Sequence, residues 1–289
     1  MEVTITGLYH YPVKSCAGVG LAQCSISAKG ISGDREWVIL NKDGVFLSQR
    51  KNPRLGLIRI RRDGKRFNLY FNDADKAIAP CPVTLPDIED ARTQIIHIWR
   101  DEATAFIAHT AVNEWVTNAL DSDEPLFLGY FDKRVPRLPG YPDRFGADAT
   151  HFADAAPFLV ANALSLYALN LSLSLQHLPE VDIRHFRPNI VFSGLPGFAE
   201  HHVKALRHNA SGFEFSLIDP CQRCSIITLN PDTSERLPNA VPFKQLTAIN
   251  PMPGSNKAPA FGMNAILEGG TEKARARGLQ LGDRLEVIQ

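Results

Sequence analysis

The sequence predicts a mostly-β protein with some α-helix, folded as two domains. Three observations carry this. The first hundred residues break into short alternating apolar runs separated by turn residues. The chain has 289 residues, too long for one typical domain and comfortable for two. Between residues 133 and 157 lies a segment rich in Pro, Gly, Arg and Asp with little periodicity, read as a linker or an ordered loop beside a site. The expected domains are therefore 1–132 and 158–289, joined by 133–157.

The elements follow in order. Val3, Ile5 and Leu8 alternate in a first strand, and Cys24 to Ile26 form part of a second. Trp37-Val38-Ile39-Leu40 is a third; Lys42-Asp43-Gly44 then turns the chain into Val45-Phe46-Leu47, because Asp-Gly between apolar runs favours a hairpin. Ile58 and Ile60 face Phe67, Leu69 and Phe71 across Asp63-Gly64, and Ile96 and Ile98 alternate around His97. Such spacing suits an antiparallel sheet or small barrel. Residues 102–120 change period: Phe106, Ala111, Trp115, Val116 and Leu120 predict a helix whose Trp115 packs into the core. Leu126, Leu128 and Tyr130 return to strand. In the second half a strand over Phe158–Val160 leads into a helix with Asn162 as N-cap and Leu166, Leu169 and Leu173 as its apolar stripe. Strands are expected at Ile190–Phe192, Phe213–Leu217, Ile226–Leu229 and Leu285–Val287, the last after a Gly282-Asp283 turn.

Composition narrows the function. Hydrophobic residues make up 44% and charged residues 21%, which excludes a disordered chain. Lys+Arg and Asp+Glu balance at 31 each, without the basic excess of a nucleic-acid-binding protein. No apolar run reaches the roughly 18 residues of a membrane span, and the first residues have no signal-peptide pattern. A cytoplasmic protein with neither nucleic-acid nor membrane partner is expected. Five cysteines, an odd number, fit a reducing compartment.

The sharpest chemical feature is Cys221-Gln222-Arg223-Cys224, expected at the mouth of the strand that begins at Ser225. A thiolate is a strong ligand for a soft or high-valent metal, and a neighbouring Arg223 favours the thiolate. Structural zinc usually needs a second such pair or nearby histidines; a thioredoxin-like pair needs a following helix; two inert buried cysteines are the bland alternative. The second feature is Phe186-Arg187-Pro188-Asn189. Proline fixes its own φ and holds the residue before it extended, so Arg187 and Asn189 should point in set directions, one suited to phosphate and one to a polar edge. A surface arginine beside a turn asparagine is the alternative. The third is Tyr11-Pro12-Val13-Lys14-Ser15-Cys16, followed by Gly18 and Gly20, where an ammonium and a hydroxyl on a loop suit an anion; it lacks the Walker A spacing. Asp34-Arg35 adds a guanidinium. Each of these alone is most often a solvated surface group. His201-His202 are adjacent and point apart, and Glu180 and Asp182 read as surface charge.

Taken in order, these segments resemble one family. Tyr11–Cys16, Asp34-Arg35-Glu36-Trp37, Phe186–Phe192, Cys221–Thr233, Phe261-Gly262-Met263-Asn264 and the closing Gly278–Ile288 are similar to the MOSC proteins that carry an N-terminal β-barrel domain, in particular the mitochondrial amidoxime-reducing component and its bacterial relatives. The resemblance spans about Leu8 to Val287. It implies an N-terminal β-barrel-like domain and a C-terminal MOSC β-barrel domain with peripheral helices. It implies a molybdenum cofactor (molybdenum held by molybdopterin), with Cys224 as the metal ligand. Lys14, Ser15, Arg35, Arg187, Asn189 and Arg223 would grip the pterin and its phosphate between the two domains. The implied reaction is reduction of small N-hydroxylated compounds such as amidoximes, hydroxylamines and N-hydroxylated bases, with Cys224 and Asp154 in catalytic positions, Asp154 relaying protons. Neither a membrane anchor nor an iron–sulfur module is seen, so electrons are expected from a separate donor protein: a ferredoxin, a flavin reductase or a b-type haem protein. The wider superfamily also carries an association with pyridoxal phosphate. The alternative implied function is a molybdenum cofactor or sulfur carrier without reductase activity. One departure stands out: relatives often carry hydroxyl residues where this chain has Ala155 and Ala156.

Overall fold

The computed structural model describes residues 1–63, 66–85, 92–135, 137, 142–145, 151–255 and 257–289. Its centre is a closed ring of seven strands. Going round, Glu2–His10 pairs with Ile190–Ser193, which pairs with Phe158–Asn162, then Ala260–Glu268, Glu214–Gln222, Ala205–His208 and Arg284–Ile288, which pairs back onto Glu2–His10. Only the Phe158–Asn162 and Ile190–Ser193 pair is parallel. Closure leaves no free sheet edge. Phe158, Phe192, Phe215, Val3, Ile5, Leu285 and Val287 fill the interior from alternate positions of these strands, with Phe213 just before one of them.

The first strand, Glu2–His10, thus lies in the same ring as strands from residues 158 onward. Its even-numbered side chains in the first half are exposed and Val3, Ile5 and Gly7 are buried, the alternation expected of a strand with one face on a core. Beyond the ring, and besides two two-stranded pairings, the described residues build two larger antiparallel sheets. One orders Thr93–Ile98, Asp101–Ile107, Phe127–Phe131 and Trp37–Leu40; the other orders Ile58–Asp63, Arg66–Phe71 and Cys81–Val83. The helix Thr110–Ala119 closes their shared core with Val112, Val116 and Ala119. Trp115 packs against the same core, half-buried, with its indole N–H on Ala79 O at 2.8 Å.

Three expectations need correction. Residues 102–107 form strand, not helix, and the helix starts only at Thr110. Phe106 is buried from a strand because Ala105–Ile107 must pair with Gly129–Phe131. Val45–Leu47 makes isolated bridges rather than a strand; the Asn41 side chain accepts from the backbone N–H of Asp43 and Val45 and shapes a tight loop. Ser225–Thr228 is a single 3-10 turn, not a strand. Thr228 Oγ1 donates to Ser225 O, and Ile227 is fully buried beneath the turn against Phe186 and Phe261. Burial decides here over the β-branched propensity. The helix Ala163–Ser174 forms as expected, with the Asn162 side chain accepting from Leu164 N at 3.1 Å. The Asp63-Gly64 turn includes Gly64, which lies outside the described residues, but the hairpin around it is in register, Asp63 opposite Arg66.

Candidate functional site

A cavity of about 610 Å³ opens where the ring meets the two smaller sheets. Lys14, Ser15, Arg35, Asp154, Arg187, Asn189, Arg223 and Cys224 all line it. They come from five separate stretches of chain, so the fold gathers what the sequence scatters. Six cationic side chains (Lys14, Arg35, Arg50, Arg144, Arg187, Arg223) and two carboxylates (Asp154, Asp219) line it among the described residues. That excess of positive charge in a partly enclosed space suits an anion.

Three of these residues sit in left-handed backbone conformations: Ser15 at φ 68°, Arg35 at φ 51° and Arg187 at φ 54°. For non-glycine residues this costs free energy and tends to mark functional sites. The expectation that Pro188 holds Arg187 extended is therefore wrong. A 3-10 turn over Ile183–Phe186, capped by Asp182, ends at Arg187, whose N–H donates to Arg184 O. The left-handed residue aims the guanidinium back across the site, where Nη1 donates to Cys16 O at 2.7 Å.

The ring of Tyr11 organises the two central arginines. Arg35 Cζ lies 4.8 Å and Arg187 Cζ 4.3 Å from its centroid, within cation–π range. The Tyr11 hydroxyl donates to Pro188 O at 3.2 Å, and burial pushes its pKa upward, so it stays neutral. Arg35 is paired with Asp34, whose other oxygen accepts from Tyr11 N at 2.7 Å. Arg35 Nη1 also reaches Asn189 Oδ1 at 3.3 Å. That same amide oxygen accepts from Leu159 N at 3.1 Å, and its nitrogen donates to Tyr9 O at 3.3 Å. Asn189 is thus largely spent on the protein: it locks two ring strands together and steadies Arg35.

Lys14 is nearly buried, and its ammonium donates to Phe152 O at 2.8 Å and to the Asp154 carboxylate. Burial acts to lower its pKa, while Asp154 opposes the shift. At Asp154 enclosure would favour the neutral acid, but the Lys14 charge and hydrogen bond, with the Trp99 indole N–H at 2.7 Å, hold the carboxyl well below its usual range. It is a carboxylate at neutral pH.

Arg223 and the two cysteines divide their roles. Arg223 is buried; Nη2 donates to Phe186 O at 2.9 Å, Nη1 lies 2.9 Å from Cys221 Sγ, and Nε has no partner among the described residues. Of the two thiols, the arginine thus sits on Cys221. Cys224 is exposed to the cavity. Behind this segment the ring of Phe261 stacks on Phe186 at 3.8 Å, and Gly262, at φ 72°, allows Val160 O to lie 2.7 Å from where a Cβ would stand. Glycine is needed at that close approach. Asn264, two residues on, donates to Asp219 Oδ1 at 2.7 Å in the cavity wall.

A molybdenum pterin is a test of this geometry. An exposed soft sulfur shares the cavity with a set of guanidinium and ammonium groups, and one buried arginine nitrogen lacks a partner among the described residues. The donor set fits a group that joins a thiolate-binding metal to a polar, anionic tail. Ala155 and Ala156 line the same cavity with methyl groups and backbone only.

Sequence reasoning missed Tyr11 as the platform for two arginines, and Phe46, Arg50 and Trp99 altogether. Trp99 sits in a turn after an alternating run, where a lone exposed aromatic carries little local signal. Its role comes from contacts with residues 50 and 154.

Residues 2–123 match the MOSC N-terminal beta barrel domain, and residues 147–286 match the MOSC domain. The chain is 32% identical over 281 residues to mitochondrial amidoxime-reducing component 1 of Homo sapiens, covering 92% of this chain and 79% of that protein. It is 28% identical over 278 residues to the Mus musculus protein of the same name, covering 92% and 78%. It is 28% identical over 239 residues to molybdenum cofactor sulfurase of Caenorhabditis elegans, covering 82% of this chain but 30% of that protein. Among the described residues no helix is long and apolar enough to cross a membrane.

Proposed function

The chain belongs to the MOSC proteins that carry an N-terminal β-barrel domain, and from that premise we propose that it is a molybdenum-cofactor-dependent oxidoreductase that reduces small N-hydroxylated compounds with electrons from a separate donor protein. One observation carries the reading: the Cys224 thiol and the cations Lys14, Arg35, Arg187 and Arg223 line a single cavity. Similarity to an amidoxime-reducing component supports the substrate class. A ferredoxin, a flavin reductase or a b-type haem protein would serve as donor.

In this reading Cys224 ligates the metal, and Lys14, Ser15, Arg35, Arg187 and Arg223 hold the pterin and its phosphate, with Asn189 positioning Arg35. When bound, the cofactor supplies the two-electron chemistry that removes oxygen from nitrogen. The protein's own residues prepare the surroundings. The cations neutralise the anionic tail in an enclosed space where such contacts are strong. Asp154, held ionised by Lys14 and Trp99, accepts a hydrogen bond from a substrate N–H and so orients the N–O group. A carboxyl acidified this far is a weak store of protons at neutral pH, so any proton it relays to the departing oxygen is held only transiently.

The test is metal content and turnover together. Wild-type protein should carry molybdenum and reduce benzamidoxime with an artificial electron donor. Cys224→Ala should lose both, and unchanged molybdenum content and turnover in that variant would remove the assignment. A second reading, a carrier of the cofactor or of sulfur, draws on the exposed Cys224 thiol and the similarity to molybdenum cofactor sulfurases. Molybdenum loading without turnover would favour it.

A further inference from the structure

We propose that Trp99 is the specificity-determining residue of this cavity: its indole receives the flat π-surface of an aryl group joined to the N-hydroxylated centre, so aryl substrates are favoured over alkyl ones. The inference rests on the reductase reading and adds the kind of substrate that the site selects.

The geometry begins with position. Trp99 lies in the tight turn between Thr93–Ile98 and Asp101–Ile107, and half of its side chain is exposed at 50%. It lines the main cavity and a neighbouring one of about 550 Å³, which shares Phe46 and Ser48 with it. The indole is therefore part of the partition between two open spaces. The lining residues most open to solvent include Arg50, Trp99, Asp154 and Cys224, while Lys14, Asn189 and Arg223 lie deep. Trp99 and Cys224 are thus both exposed lining residues of one cavity.

The ring is also fixed in place before any ligand arrives. Its N–H donates to Asp154 Oδ1 at 2.7 Å, Phe46 meets it in an edge arrangement at 4.7 Å, and Arg50 Cζ lies 4.5 Å from its centroid. Its backbone is left-handed, at φ 56°. A bulky aromatic at such a φ is an outlier, and backbone strain of this kind clusters at ligand clamps. A side chain held so firmly yet half exposed has little rotamer freedom left to lose on binding, which favours a stacking surface. The less exposed cations Lys14, Arg35, Arg187 and Arg223 are assigned to the proposed cofactor. The more open lining includes Arg144, Trp99 with Arg50 over one face of its ring, and the Asp154 carboxylate to take an amidine N–H. An aryl amidoxime fits both the indole and the carboxylate; its methyl counterpart uses only the carboxylate.

The experiment compares benzamidoxime with acetamidoxime, which has the same reacting group and no ring. It uses molybdenum-loaded wild-type protein, Trp99→Ala and Trp99→Phe with an artificial electron donor. Trp99→Ala should lower kcat/KM for benzamidoxime about ten-fold, mostly through KM, as loss of one aromatic stack implies. Acetamidoxime should lose several-fold less than benzamidoxime, because both lose the Trp99 hydrogen bond to Asp154 but only benzamidoxime loses the stack, and Trp99→Phe, which keeps a ring but not the N–H, should restore most of the preference. Equal losses on both substrates, or a preference that vanishes in Trp99→Phe, would show that Trp99 acts through Asp154 alone and would overturn the proposal. A second readout does not need turnover. Benzamidoxime added to cofactor-free protein should quench a tryptophan signal that is absent from Trp99→Phe. If wild-type protein reduces neither substrate, the reductase reading fails, and the quenching alone then decides for or against Trp99.

Discussion

Arg223 Nη1 donates to the sulfur of Cys221 at 2.9 Å, so the two cysteines of the C-x-R-C segment do different work. Cys221 completes the seat of a buried guanidinium, and Cys224 stays open to the cavity. Cys221→Ala should lower stability by about 1 kcal/mol, the worth of one ordinary hydrogen bond, because sulfur is a weak acceptor even for a charged donor, while keeping most of the molybdenum. Cys224→Ala should do the reverse: little change in stability, because the thiol is exposed, with loss of metal. Urea denaturation and elemental analysis on the same samples check both.

Lys14 and Asp154 form a pair whose two members differ in burial: 5% of the lysine side chain is exposed against 66% of the carboxylate. Removing one partner is therefore not equivalent to removing the other. Asp154→Asn leaves a buried ammonium with a neutral neighbour and should destabilise by about 1–3 kcal/mol. Lys14→Met frees a carboxylate that water can reach, and its stem replaces that of lysine beside Phe46, 5.1 Å from the ammonium; it should cost less. Both variants should lose cofactor or turnover. Equal losses of stability in the two would show that burial does not set the asymmetry.

Ser15 holds φ at 68°. Glycine relieves that conformation, and the left-handed region costs other residues about 1 kcal/mol. Against this stands the extra freedom of glycine in the unfolded chain, of similar size. Ser15→Gly should leave the melting temperature unchanged or slightly raised while weakening retention of the cofactor, because the hydroxyl is gone. A marked fall in melting temperature would mean that the side chain, and not the backbone, holds the loop.

Much of the fold is legible in local sequence. Alternation in Glu2–His10, the Asn162 cap and the hairpin of Ile58–Phe71 each follow from period or turn chemistry. The failures are instructive. Ile226-Ile227-Thr228 carries strong strand propensity yet turns, because Ile227 has a buried place to fill. Phe106 matches a helical period by coincidence while pairing as a strand with Tyr130. The site residues stand out as types but not as partners. Nothing within the local sequence tells Arg35 and Arg187 that Tyr11 lies between their loops, or gives Trp99 its tie to Asp154. Such contacts are tertiary and appear only when the ring closes.

His201 offers a test of the ring's outer layer, away from the cavity. Burial, with a smaller contribution from the neighbouring His202, pushes its pKa down to about 4, and Asn250 Nδ2 lies 3.4 Å from its Nε2. The folded protein therefore keeps this imidazole neutral, whereas the unfolded chain protonates it near pH 6.5. The unfolded state binds the extra proton between these values, so the contribution to stability is full above about pH 6.5 and is lost as the pH falls toward 4. His201→Asn, which cannot titrate, should flatten this part of the stability profile relative to wild type. Urea denaturation at pH 7.5, 6, 5 and 4.5 measures it. A slope that is the same in both proteins across that window would place the acid sensitivity on other groups.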